Sequence, residues 1–386
     1  MSQQASRRAS DGDHRHTHFR LDGVTITPGI SRANDANARL LSRLLPPDTP
    51  VYVGGGASPS RTDRDKPAWW TRTAGRVESF LSSLPPPPAR PSGREGTIHP
   101  KRATDVTAEE FVASNADDPD VDFLCMAPLS TVAGALRLRS SGGRSDRRGP
   151  PEAAFYVMGG IRSDSRATGR GASTAPSGYL DVAVANDEET SEEEAADGGR
   201  DRFGEFNFAL DVAAARAVLS TASARVIPLE ACTLVPESRR VAAEGATLAS
   251  ILSRSRDAPP PPGDDASDSE RELRAARGVL LGLLREYGTA ETQWDSISAA
   301  IYCNAFGTAH AGEDAKGSVL TRVGSNELSL TDLGALSFPG CGFDETMPDA
   351  CGDSHHEHWI YPTFSTADES AFFRFLSFLL YSDAMG

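Results

Sequence analysis

Residues 203–217 read FGEFNFALDVAAARA. Glu205 and Asn207 stand one residue apart at the mouth of an apolar segment, and Asp211 precedes an Ala-rich run. On an extended backbone, side chains at i and i+2 point to the same face. A carboxylate and a carboxamide so placed can grip two hydroxyls of one sugar. The same residues also read as a helix entry. Asp211 would cap a helix over 212–220, with a charged loop at the positive end of its dipole. Spacing alone leaves both readings open.

Outward from this stretch, strand and helix patterns alternate. Short apolar strands are expected at 19–27, 51–53, 121–126, 154–158 and 224–229. Helices are expected at 32–45, 107–116 and, opened by Pro128, at 129–138. Further on, 271–288 and 293–305 carry helical spacing, with Asp295 near the start of the second. A strand beginning at His358 and an apolar helix over 369–381 close the chain. Strands alternating with helices imply an α/β fold, Rossmann-like, with a mostly parallel sheet covered by helices on both faces.

Low-complexity segments separate these units. Residues 83–96 are Pro-rich, 139–151 Arg/Gly-rich, 161–202 Gly/Ser-rich then acidic, and 254–270 Pro-rich then acidic. We read them as disordered surface insertions, which lengthen loops at small entropic cost, and 1–18 as a disordered leader to a domain over 19–386.

The formal net charge of −15, with no clustered Lys or Arg, excludes a phosphate-backbone binder. No nucleic acid partner is expected. Five cysteines (Cys125, Cys232, Cys303, Cys341, Cys351) are widely spaced without zinc-finger pairs, which points to reduced, structural thiols. No apolar run is long enough for a membrane span, and the N-terminus has no secretory apolar region. A soluble, cytoplasmic protein with no membrane partner is therefore expected. His355-His356-Glu357-His358 reads as a surface loop leading into the last strand, because adjacent residues rarely converge on one ion. Trp69-Trp70 reads as a packed aromatic pair, and Gly54-Gly55-Gly56 as a turn without phosphate-loop spacing.

In order along the chain, several motifs resemble those of the inosine–uridine-type nucleoside hydrolases. They are Gly23-Val24-Thr25-Ile26-Thr27, Asn37-Ala38-Arg39-Leu40-Leu41 and Pro50-Val51-Tyr52-Val53-Gly54, then Ala127-Pro128-Leu129-Ser130-Thr131 and Met158-Gly159-Gly160. Glu205-Phe206-Asn207 with Asp211, and Trp294-Asp295-Ser296, complete the series. The resemblance implies the nucleoside hydrolase fold and hydrolysis of the N-glycosidic bond of purine or pyrimidine ribonucleosides to base and ribose. It implies ribose contacts from Glu205 and Asn207. It also implies a Ca²⁺ cofactor held by Asp295 and the backbone carbonyl of Met126, with a ribonucleoside as substrate or ligand. A homo- or hetero-oligomer is compatible with it.

This sequence also departs from the family's pattern. The family's Asp-x-Asp-Pro-Gly-x-Asp-Asp cluster, which ends its first strand, has no counterpart, so no catalytic residue is assigned. Asp11-Gly12-Asp13 lacks a preceding apolar strand and is rejected. The family's late-helix His is Trp294 here, and its Asn after Gly-Pro-Leu-Thr is Thr131. Without the first strand the sheet would carry a slot with unpaired backbone on both sides. Two explanations are open: an incomplete gene product, or a catalytically inactive, degenerate member acting as a riboside-binding or partner subunit.

Overall fold

The structure, a computed structural model, describes residues 20–27, 49–54, 106–141, 149–162, 205–232, 294–303, 320–324, 327–330, 335–338 and 356–361. It also describes single positions at 41, 44, 45, 79, 271, 274, 277, 278, 281, 372, 373 and 376. The first half of the described chain gives β1 (Val24–Ile26), β2 (Val51–Val53), α1 (Ala108–Asn115), β3 (Asp122–Cys125), α2 (Ser130–Ser141), β4 (Ala154–Met158) and β5 (Ile161–Arg162). There follow α3 (Phe206–Leu210), α4 (Val212–Thr221), β6 (Ala224–Ile227), α5 (Leu229–Cys232) and α6 (Trp294–Tyr302). Last come β7 (Thr321–Gly324), β8 (Ser329–Leu330), β9 (Ala335–Ser337) and β10 (Glu357–Ile360).

The main sheet has the order β3-β4-β6-β10-β7. Its pairs are parallel except β10 with β7. Alternation decides which side chains face which layer. Phe155, Val157, Ala224, Val226 and Ile360 turn to one face and share a core with Leu129, Val132 and Leu136 of the α2 region and Ala215, Val218 and Leu219 of α4. Tyr156 turns to the other face and meets Tyr302 of α6 edge-on at 4.8 Å. Ile297 and Ala300 of α6 are buried too. Helices therefore cover both faces, as the sequence rhythm implied.

β1 pairs in parallel with β2, Val24 opposite Val51, as a separate two-stranded piece. It is tied to the rest by a Tyr52–Phe111 ring stack at 4.2 Å and by Thr27 Oγ1, which donates to Thr131 Oγ1 at 3.0 Å. β1 and β3 each have one edge without a strand partner among the described residues. A small third sheet has the order β5-β9-β8, and its β5 follows β4 after Gly159-Gly160.

Local capping sets the helix starts. Thr107 and Glu110 form a reciprocal capping box at α1. Asp211 caps α4 by accepting the Ala214 amide, as one of the two sequence readings required.

Four expectations need correction. Residues 205–210 are not extended: Glu205 itself caps the short helix α3. The strand at 224–229 stops at Ile227, because Pro228 has no amide to donate, and Leu229 opens α5. Helix α2 runs on to Ser141, and Ile161–Arg162 form a strand, so two of the presumed insertions begin later than their composition suggested. Glu357, read as surface loop, begins β10, and His358, expected to start that strand at the end of a surface loop, is fully buried. Residues 1–18, Asn37–Leu40, Trp69-Trp70, Cys341, Cys351 and the remaining insertions fall outside the described residues.

Candidate functional site

In an open parallel sheet, ligands bind at the carboxyl ends of the strands, where connections leave for the covering helices. Here that rim is built from three exits. Met126–Pro128 leads from β3 to α2, Gly159-Gly160 from β4 to β5, and Pro228 from β6 to α5. Onto it come the entry of α3 and the first turn of α6.

The two motifs that stood out in the sequence bind each other. Glu205 Oε1 accepts the Asn207 amide at 2.8 Å. Its Oε2 accepts the Phe208 amide at 2.9 Å and, across 45 residues of chain, the Gly160 amide at 2.9 Å. Asn207 Nδ2 donates to the Met158 carbonyl at 3.2 Å, with the Met158 sulfur 3.0 Å away. The Phe208 ring lies against the paired glycines, and a Cβ on Gly159 would collide with it. Gly160 has φ +82°, a backbone state that favours glycine. Its carbonyl accepts the Leu229 amide at 2.9 Å, which ties in β6 as well.

Burial sets the electrostatics. Glu205 is 2 % exposed, and desolvation pushes it up to about 7 despite the three backbone donors that favour its charge. The charge of Asp295 adds to the rise. Asp295 exposes much of its surface, yet enough protein surrounds its carboxyl that desolvation raises it to about 6. It lies close enough to Glu205 for their charges to interact. The buried Cys232 thiol, near Glu205, Asp295 and Glu230, is raised well above the usual thiol range. Cys125 is pushed up to about 12 by burial. Both are unreactive thiols at neutral pH.

The structure thus brings Glu205, Asn207 and Asp295 to one edge of the sheet, with Met126 at the exit of β3. Asp211 serves the scaffold: it caps α4 and accepts the Ser130 hydroxyl at 2.7 Å. Thr131 bonds Thr27. Sequence reasoning missed the Gly160 amide as the partner of Glu205, and Glu230 beside Cys232. The Met158-Gly159-Gly160 motif was visible, but its neighbour in space was not.

For a Ca²⁺ ion the described donors do not suffice. Among the described residues no three Asp, Glu, His or Cys side chains are arranged to hold a metal. One carboxylate and one carbonyl fall short of the six to eight oxygens that Ca²⁺ takes. No described helix is long and apolar enough to cross a membrane.

Comparison with known proteins places this arrangement. The sequence model for "Inosine-uridine preferring nucleoside hydrolase" matches residues 13–318. Among solved structures, the chain is similar to an inosine-uridine preferring nucleoside hydrolase from Bacillus anthracis. That match has a TM-score of 0.51 and 12 % identity, covering 94 % of this chain and 91 % of that one. It is also similar to a plant nucleoside hydrolase, PpNRh1, with a TM-score of 0.41 and 14 % identity, over 94 % and 100 % of the two chains. A comparison with curated protein sequences gives no match. The B. anthracis likeness shows the fold, and the sequence match over more than half of the chain shows the family. With its two most telling motifs clasped at the carboxyl edge of a parallel sheet, the chain belongs to the inosine-uridine preferring nucleoside hydrolase family.

Proposed function

We propose that this chain binds a ribonucleoside at the carboxyl edge of its sheet and hydrolyses the N-glycosidic bond. The bond from the sugar's anomeric carbon to the base breaks, the oxygen of water joins that carbon, and the base leaves with a proton. The family's reaction is hydrolysis of N-glycosyl bonds. The observation that carries the reading for this chain is the meeting of Glu205, Asn207 and Asp295 at one rim.

Cleavage of this kind passes through an oxocarbenium-like sugar. A carboxylate at the mouth, Asp295, favours that developing positive charge. The Glu205–Asn207 pair forms the ribose end, where hydroxyls meet a polar, buried wall. Trp294, at the start of α6, has an indole N–H that cannot serve as an acid at neutral pH, so the leaving base takes its proton from water. Asp295 and the Met126 carbonyl are the oxygen donors this chain would offer a cation such as Ca²⁺.

The test is base release from inosine and uridine by the purified full chain, with and without added Ca²⁺. Base release above the rate without protein is expected, with Asp295→Ala abolishing it. An unchanged rate in Asp295→Ala would remove that residue from the site. Riboside binding without any release would overturn the hydrolytic half of the proposal, and neither binding nor release would overturn all of it.

A further inference from the structure

One end of the main sheet is joined to the rest by a short seam that includes a histidine. β10 pairs with β7 along its whole length, Glu357 to Ile360, but meets β6 only at Trp359–Arg225 and Ile360–Val226. Just beyond, the Tyr361 amide donates to the Val226 carbonyl at 2.9 Å. At the other end of the seam, His358 Nδ1 accepts the Ala224 amide at 3.3 Å. That bond requires an unprotonated Nδ1, so the neutral ring carries its proton on Nε2. The side chain is fully buried, and Nε2 completes no hydrogen bond.

An imidazolium here would set a ring N–H against the Ala224 N–H and bury a charge. Among the described residues no carboxylate acts on the ring. By strand alternation Arg225, Arg322 and Glu357 stand on the opposite face of the sheet. Arg216 of α4 donates to the Leu330 carbonyl at 2.7 Å. Desolvation lowers the ring to about 4; His356 adds to this, and the Leu219 backbone of α4 works against it.

We propose that His358 is an acid-sensitive latch: its neutral ring docks the β7–β10 pair onto β6, and its protonation populates a state in which that pair has left β6 while β3, β4 and β6 stay folded. A group that takes up a proton on opening makes opening easier as pH falls. Folds open locally at their less firmly attached parts. Val323 and Ile360 leave the core in that state, which keeps it minor at neutral pH. The latch does not depend on the riboside reading.

The test is amide hydrogen exchange of the full chain at pH 7.5 and 5.5, each rate divided by that of an unstructured chain at the same pH. Protection of the Ala224 and Tyr361 amides should fall about tenfold, the effect of one histidine moving from about 4 to about 6.5 on opening. The Gly159 amide, bonded to the Ile227 carbonyl across β4 and β6, lies in the part that stays folded. It should hold or gain protection, because Glu205 and Asp295, raised to about 7 and 6, stabilise the fold as pH falls over that range. In His358→Gln, which takes up no proton, the tenfold fall should be absent.

A loss at Gly159 equal to that at Tyr361 would make the opening global and overturn the proposal. Unchanged protection of Ala224 and Tyr361 in the wild type, or an undiminished fall in His358→Gln, would overturn it too. Should His358→Gln not fold, the wild-type ring decides through nitrogen NMR. A neutral ring protonated at Nε2 is expected at pH 5.5, and an imidazolium there would overturn the latch.

Discussion

Gly160 shows how one residue can hold a site together. Its φ of +82° suits glycine, and a Cβ there would run into the Leu336 side chain. Gly160→Ala combines backbone strain with overpacking, each costing on the order of 1–3 kcal/mol. We expect a loss of about 3 kcal/mol in stability, measured by urea denaturation, together with weaker riboside binding. A change under about 0.5 kcal/mol, typical of surface substitutions, would show that the turn relaxes freely. The sequence marked Met158-Gly159-Gly160 and Glu205-Phe206-Asn207 as motifs, yet left the second open between an extended segment and the loop before a helix capped by Asp211. The apolar residues Phe206, Phe208 and Leu210 fit strand alternation, but two of the three amides that Glu205 collects, those of Asn207 and Phe208, are available only in a helical turn.

Among the elements, helix entries separate into those that stabilise locally and those that join layers. Thr107 caps α1 in a box made wholly within residues 107–110 at the surface. Asp211 caps α4 while 1 % exposed, and its second oxygen holds Ser130 of α2. Thr107→Ala should cost about 1 kcal/mol, the usual value of a cap. Asp211→Ala should cost about 2–4 kcal/mol, because it also orphans a partly buried hydroxyl between two packed helices. Equal denaturation midpoints for the two variants would refute that ranking. Most element starts were legible because caps and Pro128 act within a turn of the chain. Strands β7, β8 and β9 were not expected: at two to four residues they are too short to carry a period, and their pairing partners lie far along the sequence.

Over the whole molecule, buried ionisable groups set opposing pH limits. His358 is fully buried in β10, its Nδ1 accepting the Ala224 amide at 3.3 Å, and desolvation lowers it to about 4. Among the described residues, His356 is the titratable neighbour that lowers it further, and a hydrogen bond with the Leu219 backbone works the other way. An imidazole lowered in the folded state contributes its full stability above the unfolded value near 6.5 and loses it as pH falls toward 4. Glu205 and Asp295, raised to about 7 and 6, act the other way. Their contribution is present below about 4 and is lost as pH rises through 6 to 7. Between pH 6.5 and 4 the histidine therefore opposes the carboxylates, and His358→Gln should raise stability at pH 4 relative to pH 6.5 by about 3 kcal/mol compared with the wild type. Parallel pH profiles of urea midpoints for wild type and His358→Gln would refute this assignment.

By itself the sequence determined the alternation of strands and helices, the layering it implies, the Asp211 cap and the family's motifs. Those signals are local: side-chain periodicity and capping depend on residues within a few positions. Only the tertiary structure decided that Glu205 reaches Gly160, that His358 is sealed in the sheet, and that Asp295 shares a rim with both motifs. A buried polar group must find whatever donor or acceptor folding sets opposite it. For Glu205 that donor is an amide 45 residues away.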